Sequence, residues 1–426
     1  MSRVVDRRSP QLQLRNALGW MLAMRARRAS LTASLMIAGV ASYPLPPHSG
    51  YHMTGRRAGF EGWYHRLTLP DASFGFIASI FDPADQASSR HGVGFQLVGP
   101  DDVLSREGPA DSFWADDHAF ALGHTYSGVA FSRIAPPAAY ARFVQEGFQM
   151  SSTRHQGRLA DGSAEWCFDV TPQLGWGGRE GAKQWSTAGW LASLPVFEPH
   201  YQIIMAHGVA TGHVSFKGTR REFVDAPIYS EKNWGGAFPR RWWWLQCNAF
   251  DGKPGLTFTA ACGERGNPLL EPLLPGRTED ACMVALHDAE GGFYPFATNQ
   301  WQVRWGTWTV DGALDDLRVR VEASCPPDEN AALTVACPSA DGMTARARER
   351  FDGELTVKMW RVRPGTEEEA EVLLEARSSC AAVEVGGQGW EGGAEWVGSC
   401  EVEGAARALL AAEVPLERVK DSIPGY

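Results

Sequence analysis

Polar and apolar side chains alternate along the chain from Phe60 onward. In an extended strand, Glu61 and Trp63 would point to one side, and Gly62 and Tyr64 to the other. A Pro-Asp-Ala turn and a second apolar run follow directly. Two such runs joined by a short turn predict a β-hairpin.

Similar short apolar or alternating runs recur through the rest of the chain. They cover residues 74–80, 93–98, 164–170, 201–209, 213–216, 242–250, 256–261, 283–287, 301–310, 316–323, 353–363 and 372–376. Helical patterns are few, with candidates at residues 136–147 and 402–412. Many short strands separated by turn signals are typical of barrels and sandwiches. The pattern therefore predicts an all-β protein with few short helices.

Composition and length add a domain organisation to this picture. The chain has 426 residues, among them 17 Trp, 46 Gly and 26 Pro. Aromatic residues favour pleated surfaces, and frequent Gly and Pro break the chain into short elements. The length favours two domains. Residues 263–275 resemble a linker, and we place the boundary near residue 250, which gives domains at 43–250 and 251–426.

Charge is distributed unevenly. Residues 1–42 contain seven Arg and one acid, Asp6, so this segment is +6 although the whole chain is −10. An Arg-rich, acid-poor segment with scattered Ser is typical of organelle-targeting peptides, and a disordered basic tail is the alternative. The acidic remainder would be repelled by nucleic acid. No apolar run reaches the roughly 20 residues of a membrane-spanning helix, so we expect any contact with lipid to be peripheral.

Most familiar catalytic and metal-binding signatures are missing from the sequence. Eight Cys are widely spaced without a Cys-x-x-Cys pair, so we expect reduced, mostly buried thiols and no metal site. Gly-x-Ser-x-Gly, Walker and His-Glu-x-x-His motifs are lacking, as is a Gly-x-Gly-x-x-Gly turn between a strand and a helix. Hydrolase, kinase and nicotinamide-dependent chemistry are therefore disfavoured.

The densest polar cluster of the chain is YSEKNWGG, over residues 229–236. In a strand, Tyr229, Glu231 and Asn233 would point to the same side, and Lys232 to the other. A carboxyl group would then lie between a phenol and an amide. A surface turn with a Glu–Lys pair explains the same residues equally well.

Two other pairs of polar residues lie close in sequence. His48 and His52 are four residues apart, but the Pro and Gly beside them disfavour a helical metal pair, so we expect loop histidines. Glu198 and His200 precede a predicted strand and form a candidate acid–base pair.

The many Trp residues have two interpretations. Trp63 and the three Trp at 242–244 are either core side chains or the wall of a ligand cavity, as in a lipocalin-like barrel. Both interpretations can hold on opposite faces of one strand.

Several segments, in the same order over about residues 44–390, together resemble the tocopherol cyclase family. They include 47–52 (PHSGYH), 60–64 (FEGWY), 186–190 (STAGW), 195–200 (PVFEPH), 229–236 (YSEKNWGG), 238–242 (FPRRW) and 381–387 (AAVEVGG). The resemblance implies a plastid enzyme that cyclises phytyl-substituted benzoquinols to γ- or δ-tocopherol. It also implies that no redox cofactor is needed, because cyclisation is an isomerisation, and that the enzyme has peripheral contact with a thylakoid membrane or plastoglobule.

More remotely, Tyr229, Glu231 and Asn233 resemble the Tyr-x-Asp-x-Asn stretch of carotenoid 1,2-hydratases, with Glu in place of Asp. Those proteins contain two lipocalin-like β-barrels, so the resemblance implies two lipocalin-like antiparallel β-barrels or sheets here.

The resemblance also implies roles for particular residues. Glu231 would protonate the prenyl double bond, with Tyr229 and Asn233 beside it. The expected substrate-binding residues are His52, Glu61, Trp63, Glu198, His200, Trp234 and Trp243. A Glu is an effective acid near neutral pH only if burial raises its pKa, so we expect aromatic walls around Glu231 and Lys232 turned away. Two alternatives stay open: hydration of an olefin, as in the carotenoid hydratases, and non-catalytic binding of a prenylquinol.

Overall fold

Antiparallel strands account for most of the described chain. The computed structural model describes residues 45–54, 59–81, 92–177, 184–187, 199–266, 278–339 and 342–401. Within these residues there are 22 strands, one short α-helix and two 3₁₀ turns. The strands form two separate eleven-stranded sheets.

The first sheet is built from residues 60–235. Its strands are β1 (Phe60–Thr68), β2 (Ser73–Phe81), β3 (Gly92–Val98), β4 (Val103–Gly108), β5 (Trp114–Ala115), β6 (Ala121–Gly128), β7 (Val144–Ser151), β8 (Arg154–Arg158), β9 (Ala164–Leu174), β10 (His200–Phe216) and β11 (Thr219–Gly235). Their order in the sheet is β4-β3-β2-β1-β11-β10-β9-β8-β7-β6-β5. The first strand in the chain therefore pairs with the last one, near the middle of the sheet. The helix α1 (Pro137–Phe143) precedes β7.

The second sheet is built from residues 241–401. Its strands are β12 (Arg241–Cys247), β13 (Thr257–Gly266), β14 (Thr278–His287), β15 (Phe293–Phe296), β16 (Thr298–Arg304), β17 (Thr307–Leu314), β18 (Leu317–Ser324), β19 (Leu333–Ser339), β20 (Gly342–Val362), β21 (Glu369–Gly387) and β22 (Trp396–Glu401). Their order is β15-β14-β13-β12-β21-β20-β18-β17-β16-β22, and β19 pairs with β20. The two 3₁₀ turns are Glu329–Ala331 and Glu391–Gly393.

Each sheet curls around its own hydrophobic core. In the first sheet, Phe95 on β3 stacks on Phe148 of β7, with ring centroids 5.0 Å apart, although six strands lie between β3 and β7 in the sheet. The Tyr126 hydroxyl on β6 donates to the Val93 carbonyl of β3 over 3.3 Å. In the second sheet, Trp243 on β12 lies 6.2 Å from Trp301 on β16. We name the side of each sheet that faces its own core the inner face, and the other side the outer face.

The outer faces of the two sheets pack against each other. A third cluster of buried side chains joins Ile203 and Tyr229 of the first sheet to Trp242, Trp244 and Ala382 of the second. All these residues belong to one compact unit, Leu45–Tyr426. Removing large aromatic side chains from water stabilises such an interface by roughly 25 cal/mol per Å² of apolar surface.

The predicted all-β class, with two antiparallel sheets and few short helices, is confirmed. The chain passes from the first sheet to the second between Gly235 and Arg241, whereas the domain boundary near residue 250 stays a prediction. Among the described helices, none is long and apolar enough to cross a membrane. The predicted targeting segment 1–42 and helix 402–412 lie outside the described residues.

Some predicted element boundaries were wrong for local reasons. The single strand expected at 301–310 is a hairpin, in which Arg304 pairs with Thr307. Gly306 has φ +95°, a conformation that glycine adopts without steric cost, so the chain reverses there. The helix expected at 136–147 ends at Phe143, because the residues from Val144 onward pair as β7. The runs at 201–209 and 213–216 are parts of one strand, β10.

Candidate active site

Glu231 is the centre of a hydrogen-bonded cluster on the outer face of β11. Its Oε2 accepts a hydrogen bond from the Tyr201 hydroxyl over 2.5 Å and from the Tyr229 hydroxyl over 2.6 Å. The two hydroxyls lie 3.1 Å apart, and the Trp244 indole N–H donates to Tyr201 over 3.3 Å. Period-2 alternation places Tyr229 and Glu231 on one face, and antiparallel pairing brings Tyr201 of β10 beside them. The expected proximity of Tyr229 and Glu231 is confirmed.

Burial makes Glu231 an acid suited to neutral pH. Its side chain is 7% exposed, and loss of solvation raises its pKa to about 7. The hydrogen bonds from Tyr201 and Tyr229 work against this rise because they stabilise the carboxylate, whereas the negative charge of Glu384 adds to it. Near pH 7 a substantial share of the protein therefore carries a protonated Glu231, which is the form that donates a proton.

Two carboxyl groups of the second sheet lie close to Glu231. Glu349 on β20 and Glu384 on β21 are register partners across adjacent strands. The Tyr64 hydroxyl donates to Glu349 over 2.6 Å, and the Trp242 indole N–H donates to Glu384. Burial and the neighbouring Glu384 raise the pKa of Glu349 well above its usual range, and burial raises the pKa of Glu384 to about 7.

A cavity of about 740 Å³ opens beside these carboxyl groups, with walls from both sheets. Glu231 and Glu384 both line it. Its aromatic wall includes Tyr64, Tyr201, Phe238, Trp242 and Trp244. Charged residues of β13 and β14 line another part of it: Arg265, Glu279 and Asp280. A largely pre-formed cavity with a few convergent polar groups is the usual form of a small-molecule site.

One arginine, Arg66, is buried between the sheets near this cluster. Its guanidinium donates to the side-chain oxygen of Gln246 over 2.8 Å and to the backbone carbonyl of Cys380. It also lies over the ring of Phe351, 5.4 Å from the centroid. These contacts join β1 to β12 and β21 and hold the walls of the cavity together.

The inner face of β11 carries a separate ionic cluster. Lys232 is fully buried, forms an ion pair with Glu61 of β1, and donates to the Gly50 carbonyl over 2.6 Å. His52 stacks on Trp234, with ring centroids 4.3 Å apart. Burial alone would raise the pKa of Glu61, but Lys232 and His52 outweigh it and lower that pKa. The expected orientation of Lys232, away from Glu231, is confirmed.

The other predicted site residues lie either at the cavity or in the ionic cluster on the inner face of β11. Asn233 lines the cavity, and His200 borders it. Trp63 and Trp243 border it as well, but their side chains are buried in the cores on the inner faces of the two sheets. His52, Glu61 and Trp234 lie in the ionic cluster on the inner face of β11, and His200 stacks on Trp234 from β10. Glu198 lies outside the described residues. The substrate-binding roles of these residues stay predictions.

Sequence reasoning missed Tyr201, Tyr64, Glu349 and Glu384 as parts of this cluster. Glu384 could have been identified from the sequence, because it is the one charged residue in the otherwise apolar run 381–387. A carboxylate is rarely buried unless it is paired or functional. Glu349 lies in a run of alternating charges and gave no such signal. Within the described residues, no group of three or more His, Cys, Asp or Glu is placed to hold a metal ion.

Fold and site together define an all-β protein with a buried acid facing an apolar cavity between two curled sheets. Residues 57–387 match the family model described as tocopherol cyclase-like. The chain therefore belongs to the tocopherol cyclase-like family, as the ordered sequence segments predicted.

Two plant relatives agree with this membership. The chain is 35% identical over 407 residues to "Tocopherol cyclase, chloroplastic" of Zea mays, which covers 87% of this chain and 83% of that protein. It is also 35% identical over 407 residues to "Probable tocopherol cyclase, chloroplastic" of Oryza sativa subsp. japonica, covering 87% of this chain and 84% of that protein.

Among solved structures, similarity is found to kievitone hydratase from Nectria haematococca. The TM-score is 0.40 at 10% identity, covering 83% of this chain and 96% of that chain. CghA gives a TM-score of 0.42 at 11% identity, covering 78% of this chain and 88% of that chain.

Proposed function

We propose that this protein is a tocopherol cyclase, an isomerase that closes the chromanol ring of a phytyl-substituted benzoquinol to give γ- or δ-tocopherol. The observation that carries the proposal is Glu231, a buried carboxyl with a pKa raised to about 7, held by two phenols at the wall of an apolar cavity. Family membership and the names of the two plant relatives support the same activity.

Ring closure requires a proton at one end of the reaction and releases one at the other. Glu231 transfers its proton to the less substituted carbon of the prenyl double bond, which leaves a tertiary carbocation. The neighbouring phenol oxygen of the substrate forms a bond to that cation, and the phenolic proton leaves. The atoms of substrate and product are the same, so the reaction consumes no oxidant, reductant or water.

The aromatic wall supplies a surface that tolerates the transient cation. Tyr64 and Trp244 meet edge to face, with ring centroids 5.3 Å apart, and both line the cavity that Glu231 faces. The face of a Tyr or Trp ring stabilises a nearby cation by roughly 0.5–2 kcal/mol. Because this attraction exists only once positive charge has formed, it lowers the barrier more than it strengthens substrate binding.

The apolar part of the cavity suits a phytyl tail. Burying each CH₂ group contributes about 0.8 kcal/mol, so a long isoprenoid tail supplies much of the binding energy. The polar quinol head then lies against the carboxyl and phenol groups at the interface of the two sheets.

We place the protein in the plastid, in peripheral contact with a thylakoid membrane or plastoglobule where such a quinol dissolves. Both relatives are named chloroplastic, and the Arg-rich segment 1–42 has the composition of a targeting peptide.

The test is to incubate the full chain with a methylated phytyl-benzoquinol in heavy water under reducing conditions and to measure the mass of the product by mass spectrometry. A chromanol with one carbon-bound deuterium is expected. A product heavier by one water would support an olefin hydratase instead, and unchanged quinol bound to folded protein would support a prenylquinol carrier. Either of these two results would overturn the proposal.

A further inference from the structure

A second carboxyl group, Glu384, faces the same cavity as Glu231. It lies on the outer face of β21, directly opposite Trp244 of β12 in the strand register. Trp244 in turn donates to Tyr201, which donates to Glu231. The two carboxyl groups therefore flank one indole, Glu231 on the first sheet and Glu384 on the second, and a molecule in the cavity meets both.

Glu384 differs from Glu349, the third carboxyl group of the cluster, in its accessibility to a molecule in the cavity. Glu349 is fully buried, is not part of the cavity wall, and accepts a hydrogen bond from Tyr64. Glu384 is only partly buried because its side chain borders the cavity. The Trp242 indole donates to Glu384, which favours its ionised form. Of the two carboxyls on the second sheet, Glu384 is therefore the one that a substrate reaches.

The charge of Glu384 acts on Glu231 and on several other groups around it. The titratable groups that interact with it from the neighbouring strands are Tyr64, Glu231, Cys337 and Glu349, and Arg66 lies close to Tyr64 and Glu349. Burial and the negative charge of Glu384 raise the pKa of Glu349 well above its usual range. The negative charge of Glu384 raises the pKa of Glu231, so ionisation of Glu384 favours the protonated form of Glu231. Such a pair supplies an acid and a base at the same time.

We infer that Glu384 is the catalytic base that accepts the phenolic proton while Glu231 protonates the double bond, an inference that rests on the proposed cyclase function. In this step the Glu231 O–H bond breaks as the new C–H bond forms. The phenol oxygen bonds to the cationic carbon, and its proton passes to Glu384. After the chromanol leaves, Glu384 releases that proton to solvent and Glu231 takes one up, which restores the starting state.

The first test is the pH dependence of kcat in Glu384→Gln. The wild-type protein should give a bell-shaped profile, since it needs Glu384 ionised and Glu231 protonated. Glu384→Gln should lose about 10²–10⁴-fold in kcat, the usual contribution of general acid–base catalysis. Its acidic limb should disappear. Its alkaline limb should move to lower pH, because a negative charge that raises the pKa of Glu231 has been removed. A merely structural role would lower the rate but leave the acidic limb in place.

The second test is chemical rescue. Glu384→Ala should regain activity with added formate, which fits the vacated space and accepts a proton. A quinol fluorinated next to the reacting hydroxyl has a more acidic phenol and should lose less activity in Glu384→Gln than the unsubstituted quinol does.

One matched variant serves as a control. Glu375→Gln changes an exposed residue on the same strand, β21. This variant should keep the wild-type profile and show no response to formate. If wild-type protein cyclises the quinol but Glu384→Gln keeps its rate and its acidic limb, the inference is wrong while the cyclase function stands. If wild-type protein forms no chromanol, the proposed function itself fails.

Discussion

The hydroxyl of Tyr201 lies 2.5 Å from Oε2 of Glu231, on the neighbouring strand of the first sheet. Tyr229 donates to the same oxygen from two residues earlier on the strand of Glu231. These two phenols limit how far burial raises the pKa of the carboxyl, since each hydrogen bond stabilises the ionised form. The two hydrogen bonds therefore keep the pKa of Glu231 near neutrality.

Tyr201→Phe should shift the alkaline limb of the pH–rate profile to higher pH. Removing one donor to the carboxylate raises the pKa of Glu231 further, so the protonated form persists at higher pH. Tyr229→Phe should move the limb in the same direction. The measurement is kcat against pH for both variants and wild type. A limb that stays in place, or that moves to lower pH, would show that the phenols do not tune this acid.

Glu231→Gln should make the protein more stable in alkaline solution. The folded pKa of about 7 lies above the ordinary value of 4.5, so between these pH values the folded state holds a proton that the unfolded chain releases. Wild-type stability therefore falls as pH rises through this window, by about 1.4 kcal/mol per pKa unit, or about 3 kcal/mol in all. The variant lacks this loss, because Gln is neutral throughout.

Urea unfolding of wild type and Glu231→Gln at pH 4.5 and pH 8 measures this effect. The two proteins should be similarly stable at pH 4.5, and the variant more stable at pH 8. The exposed variant Glu375→Gln should show no such difference. Equal stability of wild type and Glu231→Gln at both pH values would mean that Glu231 has an ordinary pKa.

Lys232→Met should destabilise the fold by about 3–5 kcal/mol, because it leaves Glu61 charged and buried without its partner. The double variant with Glu61→Gln should recover part of this loss. Lys358→Met removes an exposed ion pair to Glu369 and should cost about 1 kcal/mol or less. The measurement is the unfolding free energy of each variant and of wild type from urea titration. A cost for Lys232→Met as small as that for Lys358→Met would contradict a stabilising ionic cluster.

The part of the site that follows from the sequence is the part that depends on local geometry. Tyr229 and Glu231 are two residues apart, and the period of a β-strand places them on one face without any knowledge of the fold. The same rule turns Lys232 to the other face. The apolar and alternating runs predicted the all-β class for the same reason.

The rest of the site depends on pairing between distant strands. Glu384 comes near Glu231 only because β12 pairs with β21 and the outer faces of the two sheets meet. Tyr201 reaches Glu231 through the register of β10 on β11, which shifts at bulges after Ile203 and Met205. Such a shift changes which residues share a face, and no local sequence pattern predicts it.

In the proposed reaction Glu231 donates the proton that starts ring closure, and the variant Glu231→Gln has no such proton to give. Gln still accepts hydrogen bonds from Tyr201 and Tyr229, so the variant should fold and bind the quinol, which quenching of Trp fluorescence will report. Single-turnover cyclisation of a methylated phytyl-benzoquinol should fall by at least about 10²-fold, while Glu375→Gln keeps the wild-type rate. A Glu231→Gln variant that binds the quinol and forms chromanol at close to the wild-type rate would contradict the account.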